Sequence, residues 1–92
     1  MKNIDKFDND IKISYMLHFT NMIVDQFLIY DKHLNINDFS YNHIVKGASE
    51  QVYLSDKEKE LAIKNSKFFL RQKYGIEIIS DNPITIKRTP CN

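Results

Sequence analysis

Residues 55–89 read SDKEKELAIKNSKFFLRQKYGIEIISDNPITIKRT, and this stretch decides the fold because it spells a helix start, a helix stop and a strand-turn-strand in succession. Ser55 and Glu58 have the spacing of a capping box: the hydroxyl accepts from the backbone N–H three residues on, and the glutamate reaches back to the N–H of the cap. A helix is therefore expected from about Asp56. Asp56, Glu58 and Glu60 fall in its first turns and Lys67, Arg71 and Lys73 toward its end, which opposes the helix dipole at both termini. Leu61, Ala62, Phe68, Phe69 and Leu70 are expected to form its buried side. Tyr74-Gly75-Ile76 reads as a left-handed glycine stop with an apolar residue beyond it. The runs Glu77-Ile78-Ile79 and Ile84-Thr85-Ile86-Lys87 are rich in β-branched residues, and Ser80-Asp81-Asn82-Pro83 between them has turn chemistry. A terminal hairpin follows, with Pro83 outside the ladder.

Upstream, apolar residues at three-and-four spacing predict a long helix over roughly Asp10 to Lys32, with Ile13, Met16, Leu17, Thr20, Val24, Phe27 and Leu28 on one face. Phe19, Ile23 and Tyr30 widen that face, which suits either a central core helix or a homodimer contact through Ile13 to Tyr30. Alternation in Ile11, Ile13 and Tyr15 is compatible with a short opening strand instead. Asn35, Asn37 and Asp38 form a breaker and capping cluster. After them Phe39, Ile44, Val45, Ala48 and Val52 fit a second helix, which Gly47 would shorten or kink. The expected fold is α+β, three helices followed by a C-terminal β-hairpin, in a single compact domain spanning residues 1–92.

Apolar residues make up 42% of the 92 and charged residues 27%, a balance that supports a folded core and excludes a disordered chain. The lone cysteine, Cys91, rules out an internal disulfide and reads as an exposed bystander. Five charges in the first ten residues do not resemble a signal peptide, so a cytoplasmic protein is expected. The apolar run from Ile13 to Tyr30 is broken by His18, Thr20, Asn21, Asp25 and Gln26, which argues against a membrane span. Isoleucine, asparagine and lysine account for 33 residues, a bias of AT-rich coding sequence that points to a low-GC genome, a phage or a mobile element.

No catalytic constellation is legible. His18, His33 and His43 lie too far apart to place two imidazoles on one helical turn, and His18 is expected to be buried or half-buried among core residues. Asp8, Asp10, Asp31, Asn35 and Asn37 lack the mid-loop glycine and terminal glutamate of a calcium loop. With only Gly47 and Gly75, no glycine-rich phosphate loop is possible. The chain is therefore read as no enzyme, with no cofactor and no metal.

Charge is unevenly placed: residues 1–63 carry seven lysines against ten acids, and residues 64–92 six basic residues against two. Lys64, Lys67 and Arg71 share a helix face, Lys87 and Arg88 arrive from the hairpin, and Tyr74 is a candidate anchor because tyrosine buries area at small entropic cost. These six residues form the candidate binding set for a macromolecular partner, protein before nucleic acid. The economical reading is a small protein that acts by stoichiometric protein-protein contact, in the manner of an inhibitor, immunity protein, antitoxin or anti-defence factor. Helix-then-hairpin order also fits a winged-helix-like DNA-binding regulator, but a net charge of +1 is small for a protein that must neutralise phosphates.

Overall fold

The computed structural model describes residues 2–49 and 54–89, with side chains described for 13–48 and 54–89. Along the chain run α1 (Lys2–His33), a short 3-10 turn (Ile36–Asp38), α2 (Tyr41–Ser49), α3 (Asp56–Tyr74) and the strands β1 (Ile76–Asp81) and β2 (Ile84–Arg88). The architecture is three helices followed by an antiparallel hairpin, as the sequence predicts. Val52, placed in the second helix from sequence, and Cys91 lie outside the described residues.

Neither glycine nor proline occurs before Gly47, so nothing interrupts α1, which begins at Lys2 rather than near Asp10. The alternation in Ile11, Ile13 and Tyr15 is therefore not a strand; all three residues are helical. At 1.5 Å per residue a 32-residue helix spans about 48 Å, which accounts for the 49 Å long axis of the molecule. Among its described side chains, Phe19, Thr20, Ile23, Val24 and Phe27 are buried. Ile13 and Leu17, assigned to the same face from their spacing, stay about half exposed because they precede the part of α1 that the other elements cover. His18 also points outward and is exposed, contrary to expectation. Thr20 is accommodated in the core by donating from Oγ1 to the Met16 carbonyl at 2.8 Å.

The second helix is the most regular amphipath: Tyr41, Ile44, Val45 and Ala48 are all buried, at the three-and-four spacing of a single helical face. Gly47 does not end it. Phe39 lies before it, capping the 3-10 turn, and the Phe39 carbonyl accepts from the Ile84 N–H at 2.8 Å, which ties the hairpin to the loop between α1 and α2.

Ser55 and Glu58 form the complete capping box, and Gly75 closes α3 at φ 66°, ψ 26°, donating to the Arg71 carbonyl at 3.1 Å. Gly75→Ala puts a Cβ on a left-handed backbone and is expected to cost about 1–2 kcal/mol. Gly47, inside α2 with open space at the position of a Cβ, has the opposite sign: Gly47→Ala is expected to gain up to about 1 kcal/mol from backbone entropy. Parallel urea titrations of the two variants check this, and equal signs would contradict the assignment.

The buried side of α3 is narrower than expected, comprising Ala62, Ser66 and Leu70. Small side chains at 62 and 66 let α3 approach the rest of the core closely. Leu61 and Phe68 consequently fall outside that contact, at 49% and 58% exposure, and Phe69 is only partly covered. Ser66 is satisfied in the core by donating to the Ile63 carbonyl at 2.6 Å while accepting from the Tyr41 hydroxyl at 2.6 Å.

In the hairpin, Ile76 faces Arg88, Glu77 faces Lys87 and Ile78 faces Ile86. Ile79 is then an extra residue, so that Ser80 faces Thr85 and Asp81 faces Ile84. The bulge reverses the alternation. Without it Asp81 would share a face with Glu77; with it, Asp81 joins Ile76, Ile78, Ile84, Ile86 and Arg88 on the inner face. Ser80 and Thr85 share the outer face, and their hydroxyls lie 3.1 Å apart. The Asn82-Pro83 peptide in the turn is cis.

Candidate interaction surface

The inner-face charges of the hairpin are used to fasten it. At the turn end Asp81 receives Lys67 Nζ at 2.9 and 3.0 Å, and the same ammonium stands 4.9 Å from the centroid of the Tyr41 ring. At the other end Arg88 makes a two-oxygen contact with Asp31 near the end of α1. Two cations of the candidate set therefore tie β1 to α3 and β2 to α1. Such partly exposed pairs each contribute about 0–1 kcal/mol and chiefly fix geometry.

The other four are distributed. Lys64 and Arg71 are exposed on the outer face of α3. Lys87 is exposed on the outer face of the hairpin, directly across from Glu77. Tyr74 looks the other way and lines a groove of about 350 Å³ between α1 and α3, with Asn21, Val24, Asp25, Phe69 and Lys73. A second groove, about 230 Å³, runs between α3 and β1 and brings Lys67 and Arg71 together with Phe68, Glu77 and Ile78. The six residues thus do not make one continuous basic face.

What the arrangement does create is a mixed stripe on α3. Lys57, Leu61, Lys64, Phe68 and Arg71 succeed one another at four-three-four-three spacing, and all five are exposed. Lys57, Lys64 and Arg71 have no ion-pair partner among the described residues. Phe68 meets Phe69 edge-on, with ring centroids 6.2 Å apart. Sequence reasoning missed Lys57 as a member and consigned Leu61 and Phe68 to the core. The signal that identifies them is the small-residue pair Ala62 and Ser66, which marks the buried side one residue away from Leu61 and two from Phe68 and Lys64.

No other cluster competes chemically. Among the described residues no group of three His, Cys, Asp or Glu side chains stands close enough to hold a metal. No described helix is long and apolar enough to cross a membrane. Tyr30, Phe39 and His43 form an aromatic cluster beside the 3-10 turn, in which the Tyr30 hydroxyl lies 3.3 Å from His43 Nε2. The cluster consolidates the junction of α1 with α2. Compared with known protein families, curated proteins and solved structures, the chain matches none.

Proposed function

We propose that this protein acts without catalysis, by stoichiometric contact with another protein, and that the outer face of α3 with the adjoining hairpin edge is the contact surface. The observation that carries this reading is Phe68 standing 58% exposed between Lys64 and Arg71, beside a 49% exposed Leu61. Leu61 and Phe68 stand together on one helix face with cations between and beyond them, and an exposed aromatic next to an arginine is the composition of an interface anchor. The cationic flank steers association with an acidic protein and sets specificity more than raw affinity. Size, the AT-rich composition bias and the surface together fit an inhibitor, immunity protein, antitoxin or anti-defence factor that covers another macromolecule's working site. A complex of this kind buries about 1,200 to 2,000 Å² in total.

The competing reading, a winged-helix-like regulator on DNA, draws on the same helix and hairpin. Two features weigh against it: Lys67 and Arg88, which it would place on phosphates, are engaged with Asp81 and Asp31, and two apolar side chains occupy the middle of the helix face it would present. Affinity capture with the tagged protein, beside a Lys64→Glu/Arg71→Glu variant, tests the choice. The expected result is a protein retained at one-to-one stoichiometry by the wild type and lost by the variant. Duplex DNA bound with an affinity that falls steeply and linearly on a log-log plot against salt would replace this reading with the regulator.

A further inference from the structure

We infer that the outer face of α3 is a docking seam for an acidic amphipathic α-helix of the partner, an inference that rests on the protein-contact reading above. Lys57, Leu61, Lys64, Phe68 and Arg71 follow the alternating three-and-four spacing by which one helix presents a seam to another. In this seam the residues alternate between cation and apolar side chain. The cations recur every seven residues at 57, 64 and 71, and the apolar residues every seven at 61 and 68. A seven-residue repeat drifts only about 20° around the helix per cycle, so over this length both rows stay on one side. The seam is about 21 Å long at 1.5 Å per residue, which calls for a partner helix of about fifteen residues.

Charge decides the occupant. A second copy of this chain docked through the same face would bring Lys and Arg against Lys and Arg in a partly desolvated contact, where like charges are costly. An apolar helix without carboxylates would bury the three cations unpaired. A helix with leucine-like residues opposite Leu61 and Phe68, and Asp or Glu seven residues apart opposite Lys57, Lys64 and Arg71, satisfies both rows. Two acidic side chains border the seam: exposed Glu60, four residues before Lys64, and Glu77, which shares the α3–β1 groove with Arg71 and faces Lys87 across the hairpin. Both repel carboxylates placed beside them and so restrict the register of an acidic helix. Duplex DNA could meet the cations, but it would leave Leu61 and Phe68 against phosphates.

The probe is a labelled acidic amphipathic peptide of about fifteen residues, with leucine at three-and-four spacing flanked by glutamate, titrated by fluorescence anisotropy with the 92-residue chain. A scrambled peptide of the same composition and a random-sequence duplex DNA serve as comparisons. Binding of the amphipathic peptide is expected to weaken at least about tenfold in Lys64→Glu/Arg71→Glu and also in Phe68→Ser. A peptide with lysine in place of glutamate is expected to recover binding to the charge-reversed variant. Because both sites are exposed, circular dichroism melts of the variants are expected to overlay the wild type. Equal binding of the scrambled peptide, indifference to Phe68→Ser, tighter binding of DNA, or no binding of the amphipathic peptide each overturns the inference. If the peptide fails while a protein captured from lysate still depends on Lys64 and Arg71, the helical seam is wrong and the protein-contact reading stands. If that capture also fails, both fall.

Discussion

Phe27→Ala is expected to destabilise the fold by about 3–5 kcal/mol, whereas Phe68→Ala is expected to change it by less than about 0.5 kcal/mol. Phe27 is fully buried, and its ring centroid lies 6.0 Å from that of Tyr41, so its removal opens a cavity where α1 meets α2. A chain of this size has a net stability of roughly 5–14 kcal/mol. The loss is therefore a large fraction of the total and should lower the melting temperature by about 12–40 °C, at 4–8 °C per kcal/mol. Phe68 has nothing comparable to lose, since most of its surface already meets water. Calorimetric melts of the two variants measured side by side make the comparison. Similar losses for both would mean that α3 buries the face expected from sequence and that the seam does not exist as an exposed surface.

Raising the pH is expected to weaken the protein between about pH 10 and pH 12, by an amount on the order of 2–3 kcal/mol. The Tyr41 hydroxyl has its pKa pushed up from 10.0 to about 12, first by burial; Ser66 offsets part of this because its hydroxyl can turn to donate to the phenolate once Tyr41 ionises, and the nearby Asp81 charge adds to the rise. Below pH 10 the phenol is protonated in both folded and unfolded chains, and its full contribution is present. Above pH 10 the unfolded chain releases the proton while the folded protein retains it, so stability falls with pH until Tyr41 ionises in place near pH 12. Tyr41→Phe isolates this contribution. It removes one hydrogen bond from Ser66, which keeps its bond to the Ile63 carbonyl, and is expected to cost about 1 kcal/mol at neutral pH. The variant's stability should then decline less steeply above pH 10. Chemical denaturation of both proteins at closely spaced alkaline pH values provides the measurement, and parallel declines would show that Tyr41 is not the group responsible.

Local signals in the sequence specify where α3 begins and ends but not which of its faces is buried. Capping and stopping of α3 were readable because they depend on neighbouring residues: Ser55 and Glu58 satisfy each other's backbone, and Gly75 supplies a backbone conformation that other residues adopt only under strain. The hairpin was readable for the same reason, since β-branched runs flanking Ser80-Asp81-Asn82-Pro83 carry their own turn. Burial was harder to read. Two adjacent phenylalanines and a leucine look like core in any one-dimensional pattern, yet the contact face of α3 is set by Ala62 and Ser66, whose small size matters only when another helix is there to approach.

The candidate site divides along the same line. Charge asymmetry toward residues 64–92 was visible in the sequence and drew attention to α3 and the hairpin. That Lys67 and Arg88 are ion-paired while Lys64 and Arg71, among the described residues, are not was hidden, because the partners Asp81 and Asp31 lie 14 and 57 residues away. Asp81 reaches Lys67 because the bulge at Ile79 turns it to the inner face, and Arg88 reaches Asp31 because β2 is drawn to the loop after α1 by the Phe39 carbonyl. By itself the sequence determined the order of elements, the two caps of α3 and the surplus of positive charge near the end, whereas the capping cluster at Asn35 caps the 3-10 turn and Ser40 stands at the start of α2. The tertiary structure alone decided which cations are spent on holding the hairpin and which apolar side chains stay outside, since both depend on how closely separate elements pack.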